Sequence, residues 1–367
     1  MDTDPNEPWR AIFPPFHPKP PWYGGYLQTA RSRLFRLQER DLSDYRVKSL
    51  RMPTSDDTGD VLTADLLSPP EGPRHPWPLI VLLHGLGGTS QSSYIRSCAK
   101  TLLSEGHRVL RLNFRGAGNS AERCQSIHHP GRSEDLTHVF DAVRKDPKYS
   151  SELNHGVLLV GFSLGGSVLL HFLANEPEGV PISAAITVSA PLDLAATSRE
   201  LSQLSRRPIE RYLLGKMKKE VLRENSCLTD EERVAVRSAN SVWQFDERFT
   251  SKHCGFETVD EYYAKNSAER VLDQIDVKTY LIYANSDPVV PSETYAKIDW
   301  QSNARLQPVI VDDGGHVGFH GRDDDARWHE RCIGIVARRS EAANDQPVLG
   351  CTNQDGNRRR QNLQVYH

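Results

Sequence analysis

At 367 residues, with 38% hydrophobic and 25% charged residues, the chain has apolar content for one large core or two ordinary ones. A formal net charge of −3 lacks the basic footprint of a nucleic-acid binder, and no apolar run nears the roughly 18 residues that span a bilayer. The six cysteines (Cys98, Cys124, Cys227, Cys254, Cys332 and Cys351) are scattered without a C-x-x-C pair, so free thiols are expected, with neither zinc nor disulfides. The start, MDTDPNEPWR, is acidic and proline-bearing, unlike a secretory signal. A cytoplasmic protein is expected.

Residues 1–30 carry Pro5, Pro8, Pro14, Pro15, Pro18, Pro20 and Pro21, which argues for irregular backbone. The interleaved Trp9, Phe13, Phe16, Trp22, Tyr23 and Tyr26 suggest a segment laid over a folded surface. An amphipathic helix is expected to begin within 27–38. Residues 45–52 and 61–67, split by a polar turn, read as an antiparallel hairpin. From residue 78 onward strands and helices alternate. The strands are expected at 79–83, 108–114, 157–162, 184–189, 279–284 and 308–311, and helices near 94–105, 133–144 and 167–175. This rhythm predicts a mainly parallel central sheet flanked by helices on both faces, with active residues gathered at the strands' carboxyl ends. The rhythm breaks between residues 189 and 279. There Ile209, Tyr212, Leu213, Met217 and Val221 fall on one helical face, so residues of about 195–270 are expected to form a helical cap insertion in a domain spanning 31–340. Residues 341–367 form a polar tail, expected to be disordered.

The stretch Val157–Gly166, VLLVGFSLGG, is a buried-strand run followed by G-x-S-x-G and then a helical pattern. A serine at the top of a tight strand-to-helix turn has strained backbone angles, and its neighbours must be small. The start of the helix leaves N–H groups free to face a developing oxyanion. Taken alone, the motif also fits a glycine-rich turn whose serine only caps the helix. The remaining chain favours catalysis. A base must take the serine's proton and an acid must orient that base. Asp287 follows the strand at 279–284, and His316 follows the strand at 308–311 through Asp312-Asp-Gly-Gly. That is the chain order acid, then histidine. Asp193, after the strand at 184–189, competes as the acid. Asp312 and Asp313 lie too close in sequence to His316. His84-Gly-Leu-Gly-Gly, directly after the strand at 79–83, supplies a loop whose Leu86 N–H pairs with that of Leu164 as an oxyanion hole. His84 is expected to hold this loop. A phosphate-cradling loop would need the Lys of G-x-x-x-x-G-K-[ST], which is missing. Arg115, just after a strand, is assigned to pairing with a carboxylate in preference to meeting an anionic substrate.

With these residues placed, the chain resembles the YheT-like branch of the α/β-hydrolases. The resemblance runs over about residues 25–329. It is carried by Leu27-Gln-Thr, His84-Gly-Leu-Gly-Gly, and Asn113-Phe-Arg-Gly with His128, Gly131 and Asp135. Further on it is carried by Gly161-Phe-Ser-Leu-Gly-Gly, Ser189-Ala-Pro, Phe245-Asp-Glu with Gly255-Phe and Tyr262-Tyr, and Gly314-Gly-His-Val-Gly-Phe. It implies an α/β-hydrolase fold and cleavage of small-molecule carboxylic esters, of short- to medium-chain acyl groups or lipids. Ser163, Asp287 and His316 carry over as nucleophile, acid and base, with no cofactor or metal. Two departures stand out. Eukaryotic relatives often carry an N-terminal membrane anchor, where this chain has proline-rich sequence, so a soluble enzyme is implied. The closing C-terminal helix is expected to be shortened at Gly334. The alternatives are transfer of the acyl group to an alcohol and a non-catalytic member that binds a ligand or partner.

Overall fold

The structure, a computed structural model, describes residues 8–34, 41–73, 75–175, 179–224, 226–322 and 326–344. A 3₁₀ turn at Pro8–Ala11 and helix α1 (Gly25–Leu34) precede the strands β1 (Arg46–Pro53), β2 (Val61–Ser68) and β3 (Leu79–Leu83). Then follow α2 (Ser93–Glu105), β4 (Val109–Asn113), α3 (Glu134–Lys145), β5 (Val157–Phe162), α4 (Leu164–Ala174) and β6 (Ile182–Val188). Helices α5 (Leu194–Leu201), α6 (Arg207–Val221), α7 (Asp230–Ser238), α8 (Val242–Phe245), α9 (Ser251–His253) and α10 (Val259–Asn266) come next. The chain then returns to β7 (Thr279–Ala284), α11 (Glu293–Ala296), β8 (Leu306–Val311) and α12 (Trp328–Asn344).

One eight-stranded sheet runs in the order β1-β2-β4-β3-β5-β6-β7-β8. β1 and β2 form the antiparallel hairpin, β2 meets β4 antiparallel, and the strands from β4 to β8 are parallel. Every residue of β3, β4 and β5 is buried, which is why these strands read as short runs without alternation. Large apolar clusters cover the two faces. One is built on α3 and α4, the other on α2, α12 and Trp9 and Phe13 from the N-terminal segment.

Four sequence expectations need correction. Residues 1–30 are not irregular throughout, because α1 starts at Gly25; the prolines end at position 21 and leave the following residues free to coil. Its far end, at 35–38, lies outside the described residues. Helix α12 is not cut at Gly334 but runs through it to Asn344. A Cβ at Gly334 would come within 2.5 Å of the Glu105 carboxylate, so here glycine serves close helix packing against α2. The polar tail expected from residue 341 gives up its first four residues to α12, and from residue 345 on it lies outside the described residues. Tyr212, assigned to the apolar face of its helix, is 45% exposed, while Leu214 takes a buried place in α6. Among the described residues no helix is long and apolar enough to cross a membrane.

Candidate active site

Parallel strands deliver the candidate residues to one edge. Ser163 follows β5, Asp287 follows β7, His316 follows β8, and Leu86 follows β3. Ser163 sits at φ 50° and ψ −125°, a left-handed strained turn for a residue with a side chain. Its surroundings force small neighbours. A Cβ at Gly161 would lie 2.5 Å from the Gly165 carbonyl oxygen, and one at Gly165 would lie 2.4 Å from that of His84. Gly85 passes over the serine so closely that a Cβ there would be 2.9 Å from Ser163 Cβ.

His316 Nε2 lies 2.8 Å from Ser163 Oγ, and its Nδ1 lies 3.0 and 3.2 Å from the two oxygens of Asp287. The Asp287 carboxylate is fully buried. Its Oδ1 also accepts N–H groups from Val289 and Val290 at 2.8 and 3.1 Å. The histidine loop is held from several sides. Gly315 and Gly318 bridge each other, and Val317, at φ 56°, donates its N–H to Ser189 Oγ. The His316 N–H donates to Thr29 Oγ1 at 2.8 Å, while that hydroxyl donates to the Gly25 carbonyl at 2.7 Å. Gln28 of the same helix accepts from the His320 N–H at 2.7 Å. Helix α1 therefore clamps the turn that carries the imidazole. In the sequence Thr29 stands out only within the Leu27-Gln-Thr match, because its partner lies 287 positions away.

The competing acid is engaged elsewhere. Asp193 caps α5 by accepting from the Ala196 N–H at 2.9 Å, and it pairs with Lys297 at 3.0 Å. Asp313 accepts from the Gly24 N–H at 2.9 Å, and Asp312 meets Asn285. Neither faces the imidazole through a hydrogen bond.

His84 accepts the Phe114 N–H at Nε2 (3.2 Å), which assigns Nδ1–H as donor to the Gly85 carbonyl at 2.9 Å. Burial pushes its pKa down to about 4, so the ring is neutral and ties the loop to the end of β4. The Gly85 N–H is taken by Tyr94 Oη at 2.8 Å. That leaves the Leu86 N–H as the loop's next donor, and the Leu164 N–H, first in α4, has no acceptor a turn earlier. Arg115 is fully buried. It reaches Asp135 at 2.8 Å, Asp60 at 2.8 Å and Asp56 at 2.5 Å. The polar turn of the β1–β2 hairpin thus becomes an anchor for the end of β4, a role its turn-like composition concealed.

Ser163, His316, Leu86 and Leu164 line one cavity of about 630 Å³. Its apolar wall comes from the helices between β6 and β7, with Leu194, Leu201, Ile209, Leu213, Met217 and Phe245. Gln91, His128, His129 and Arg327 add polar groups. Among the described residues no cluster of His, Cys, Asp and Glu is arranged to hold a metal ion.

Known proteins share this architecture. The family profile described as alpha/beta hydrolase fold matches residues 78–323. "Putative esterase YheT" of Escherichia coli is 28% identical over 81% of this chain and 84% of its own length. "Medium-chain fatty acid ethyl ester synthase/esterase 2" of Saccharomyces cerevisiae is 28% identical over 70% of this chain. "Phospholipase ABHD3" of Mus musculus is 29% identical over 66%. The alignments span 61% and 58% of those two eukaryotic proteins, less than two thirds of either. A solved esterase of Pyrococcus furiosus, Pf2001, superposes with a TM-score of 0.54 at 18% identity, covering 80% of this chain and 91% of that one. The profile match, the sheet order and the strand-to-helix turn at Ser163 agree, and the chain belongs to the α/β-hydrolase fold family.

Proposed function

We propose that this protein hydrolyses carboxylic esters through an acyl-enzyme on Ser163. The observation that carries the reading is the continuous hydrogen-bonded row from Ser163 Oγ through His316 to Asp287, opening on an apolar cavity. Ser163 Oγ attacks the ester carbonyl carbon while His316 Nε2 takes its proton. The carbonyl oxygen becomes an oxyanion facing the N–H groups of Leu86 and Leu164. Collapse breaks the C–O bond, and the imidazolium returns the proton to the leaving alkoxide. Water then gives a proton to His316, attacks the acyl carbon, and frees the acid and the Ser163 hydroxyl. Asp287 holds the Nδ1–H tautomer and stabilises the cation. The chemistry needs neither metal nor cofactor.

The helices of about residues 195–270 act as a cap that receives the acyl chain. A volume of about 630 Å³ lies in the range of small-molecule sites, and its aliphatic wall suits short to medium acyl chains. The names of the bacterial, yeast and mouse relatives support an ester or lipid-ester substrate. The yeast relative's name also supports a second reading, in which an alcohol replaces water as acceptor.

The test is fluorophosphonate labelling of wild type and Ser163→Ala, followed by p-nitrophenyl esters of rising chain length. Labelling lost in the variant and turnover falling off beyond medium chains are expected. Wild type that is folded yet unlabelled would sink the proposal. Product analysis with added alcohol separates the two acceptors, since ester formation appears only under transfer.

A further inference from the structure

Five exposed residues lie on α1 with its lead-in and on the segment from the α5–α6 corner into α6, two elements that meet and that each contribute a residue to the cavity wall. Tyr23, Tyr26 and Leu27 lie before and within α1, Leu204 lies on the α5–α6 corner, and Tyr212 lies on α6; all are large, apolar and exposed. Leu204 is 78% exposed, a costly place for a leucine in water. The two elements meet directly, because the Arg206 guanidinium lies 5.0 Å from the Tyr26 ring centre. Tyr212 and Lys216 are exposed and also line the cavity that holds Ser163, and Thr29 lines it from α1. Tyr212 therefore stands at the rim of the entrance, with Leu204 on the adjoining α5–α6 corner and Tyr26 against Arg206 of that corner.

The same corner carries a charge of one sign. Arg207, Arg211, Lys216 and Lys219 are exposed on α6, and among the described residues none forms a salt bridge. The acidic residues of that helix point elsewhere. Glu210 is buried, accepting from the Val242 N–H, and Glu220 faces the cavity. Glu200 is paired with Arg206 at 2.7 Å, and the exposed Glu224 lies past the helix end. In a chain of formal net charge −3, this is a local cationic face beside an exposed apolar rim. That combination suits an interface where lipid headgroups are anionic and acyl chains begin a few ångströms below.

We propose that the α1 and α5–α6 rim docks the protein on an anionic lipid surface, with Leu204 and Tyr212 entering the headgroup layer. The purpose of docking rests on the esterase reading, since it places the cavity entrance where a lipid ester leaves the bilayer. The contact itself does not depend on turnover.

The experiment is sedimentation of the full chain with phosphatidylcholine vesicles, with and without phosphatidylserine at about one lipid in four. Wild type is expected to partition to the anionic vesicles and to be released as salt rises. The double variant Arg207→Glu with Arg211→Glu is expected to lose binding by more than roughly tenfold, at about fivefold for each charge removed. Its hydrolysis of a soluble p-nitrophenyl ester should match wild type, because neither residue lines the cavity. Leu204→Gln, at a site with little packing to lose, is the second variant and should weaken partition with folding intact. Wild type left in the supernatant, equal binding to neutral vesicles, or variants that bind like wild type would each overturn the proposal. Retention on polyglutamate without vesicle binding would overturn it in favour of an acidic protein partner. Vesicle binding by a protein that turns over no ester would uphold the docking and overturn only the catalytic reading.

Discussion

Asp287 is held at both ends, and this decides what its amide would do. Oδ1 already accepts the Val289 and Val290 N–H groups. In Asp287→Asn the amide oxygen keeps those bonds, so the NH₂ faces His316 Nδ1. The imidazole then carries its proton on Nε2 and has nothing to accept from Ser163. Turnover should fall by roughly 10³–10⁴-fold with substrate binding retained, as kcat and KM measured separately would show. A loss below tenfold would remove Asp287 from the assigned role. Thr29 sits one bond further out. Thr29→Val keeps the shape and removes the acceptor of the His316 N–H, so kcat should drop by roughly tenfold at constant KM, with Thr29→Ser near wild type. An unchanged kcat in Thr29→Val would leave Thr29 a packing residue.

At the scale of elements, the residues that read clearly are those whose own surroundings are uniform. β3 and β5 are buried along their whole length, so each strand stands out as a short apolar run, after Pro78 for β3 and after Gly156 for β5. The candidates Ser163, Asp287 and His316 were legible because each follows the carboxyl end of a strand, and the sheet order brings them within hydrogen-bond distance. What stayed hidden depends on partners far along the chain. Thr29 and His316 are 287 positions apart. Tyr212 has helical spacing that fits the core, yet it stands at the rim of a cavity. Gly334 looked like a helix terminator, but the close approach of Glu105 explains it. The turn Ser55-Asp-Asp-Thr-Gly-Asp reads as a loop, while in the fold it brings Asp56 and Asp60 onto Arg115. Arg115→Leu would leave the Asp60 and Asp135 carboxylates buried without their cation, at a cost of about 3–5 kcal/mol. Denaturant unfolding should register that loss, and replacing Asp135 with Leu in the same chain should restore part of it. A change under ~1 kcal/mol would mean the cluster is more hydrated than its burial indicates.

For the molecule as a whole, acid is the condition that sets buried groups against one another. Burial pushes His84, His107, His320 and His329 down from 6.5 to about 4, 3, 2 and 3. Each stays neutral in the fold at a pH where the unfolded chain binds a proton. Their contribution is complete above 6.5 and is lost as pH falls below it. Burial acts oppositely on Asp246 and Glu220, raising them to about 6 and 8. Those carboxyls hold protons in the fold that the unfolded chain has released, so acidification from 6 toward 4 favours the fold through them. With His128, His129, His138 and His171 also lowered by burial, eight imidazoles stand against these two carboxyls, so unfolding takes up protons on balance as pH falls. A domain of ordinary stability, about 5–15 kcal/mol, should therefore hold at pH 7 and lose stability cooperatively as pH falls from 7 toward 4. Melting followed by circular dichroism across that range reads the slope directly. His329, whose two ring nitrogens have no hydrogen-bond partner among the described residues, isolates one contribution. His329→Phe should flatten the acid limb by about 1.4 kcal/mol per pH unit. A melting temperature unmoved between pH 7 and 5 would mean that the carboxyls cancel the imidazoles, and a slope unaltered by His329→Phe would mean that this ring takes up a proton within the fold.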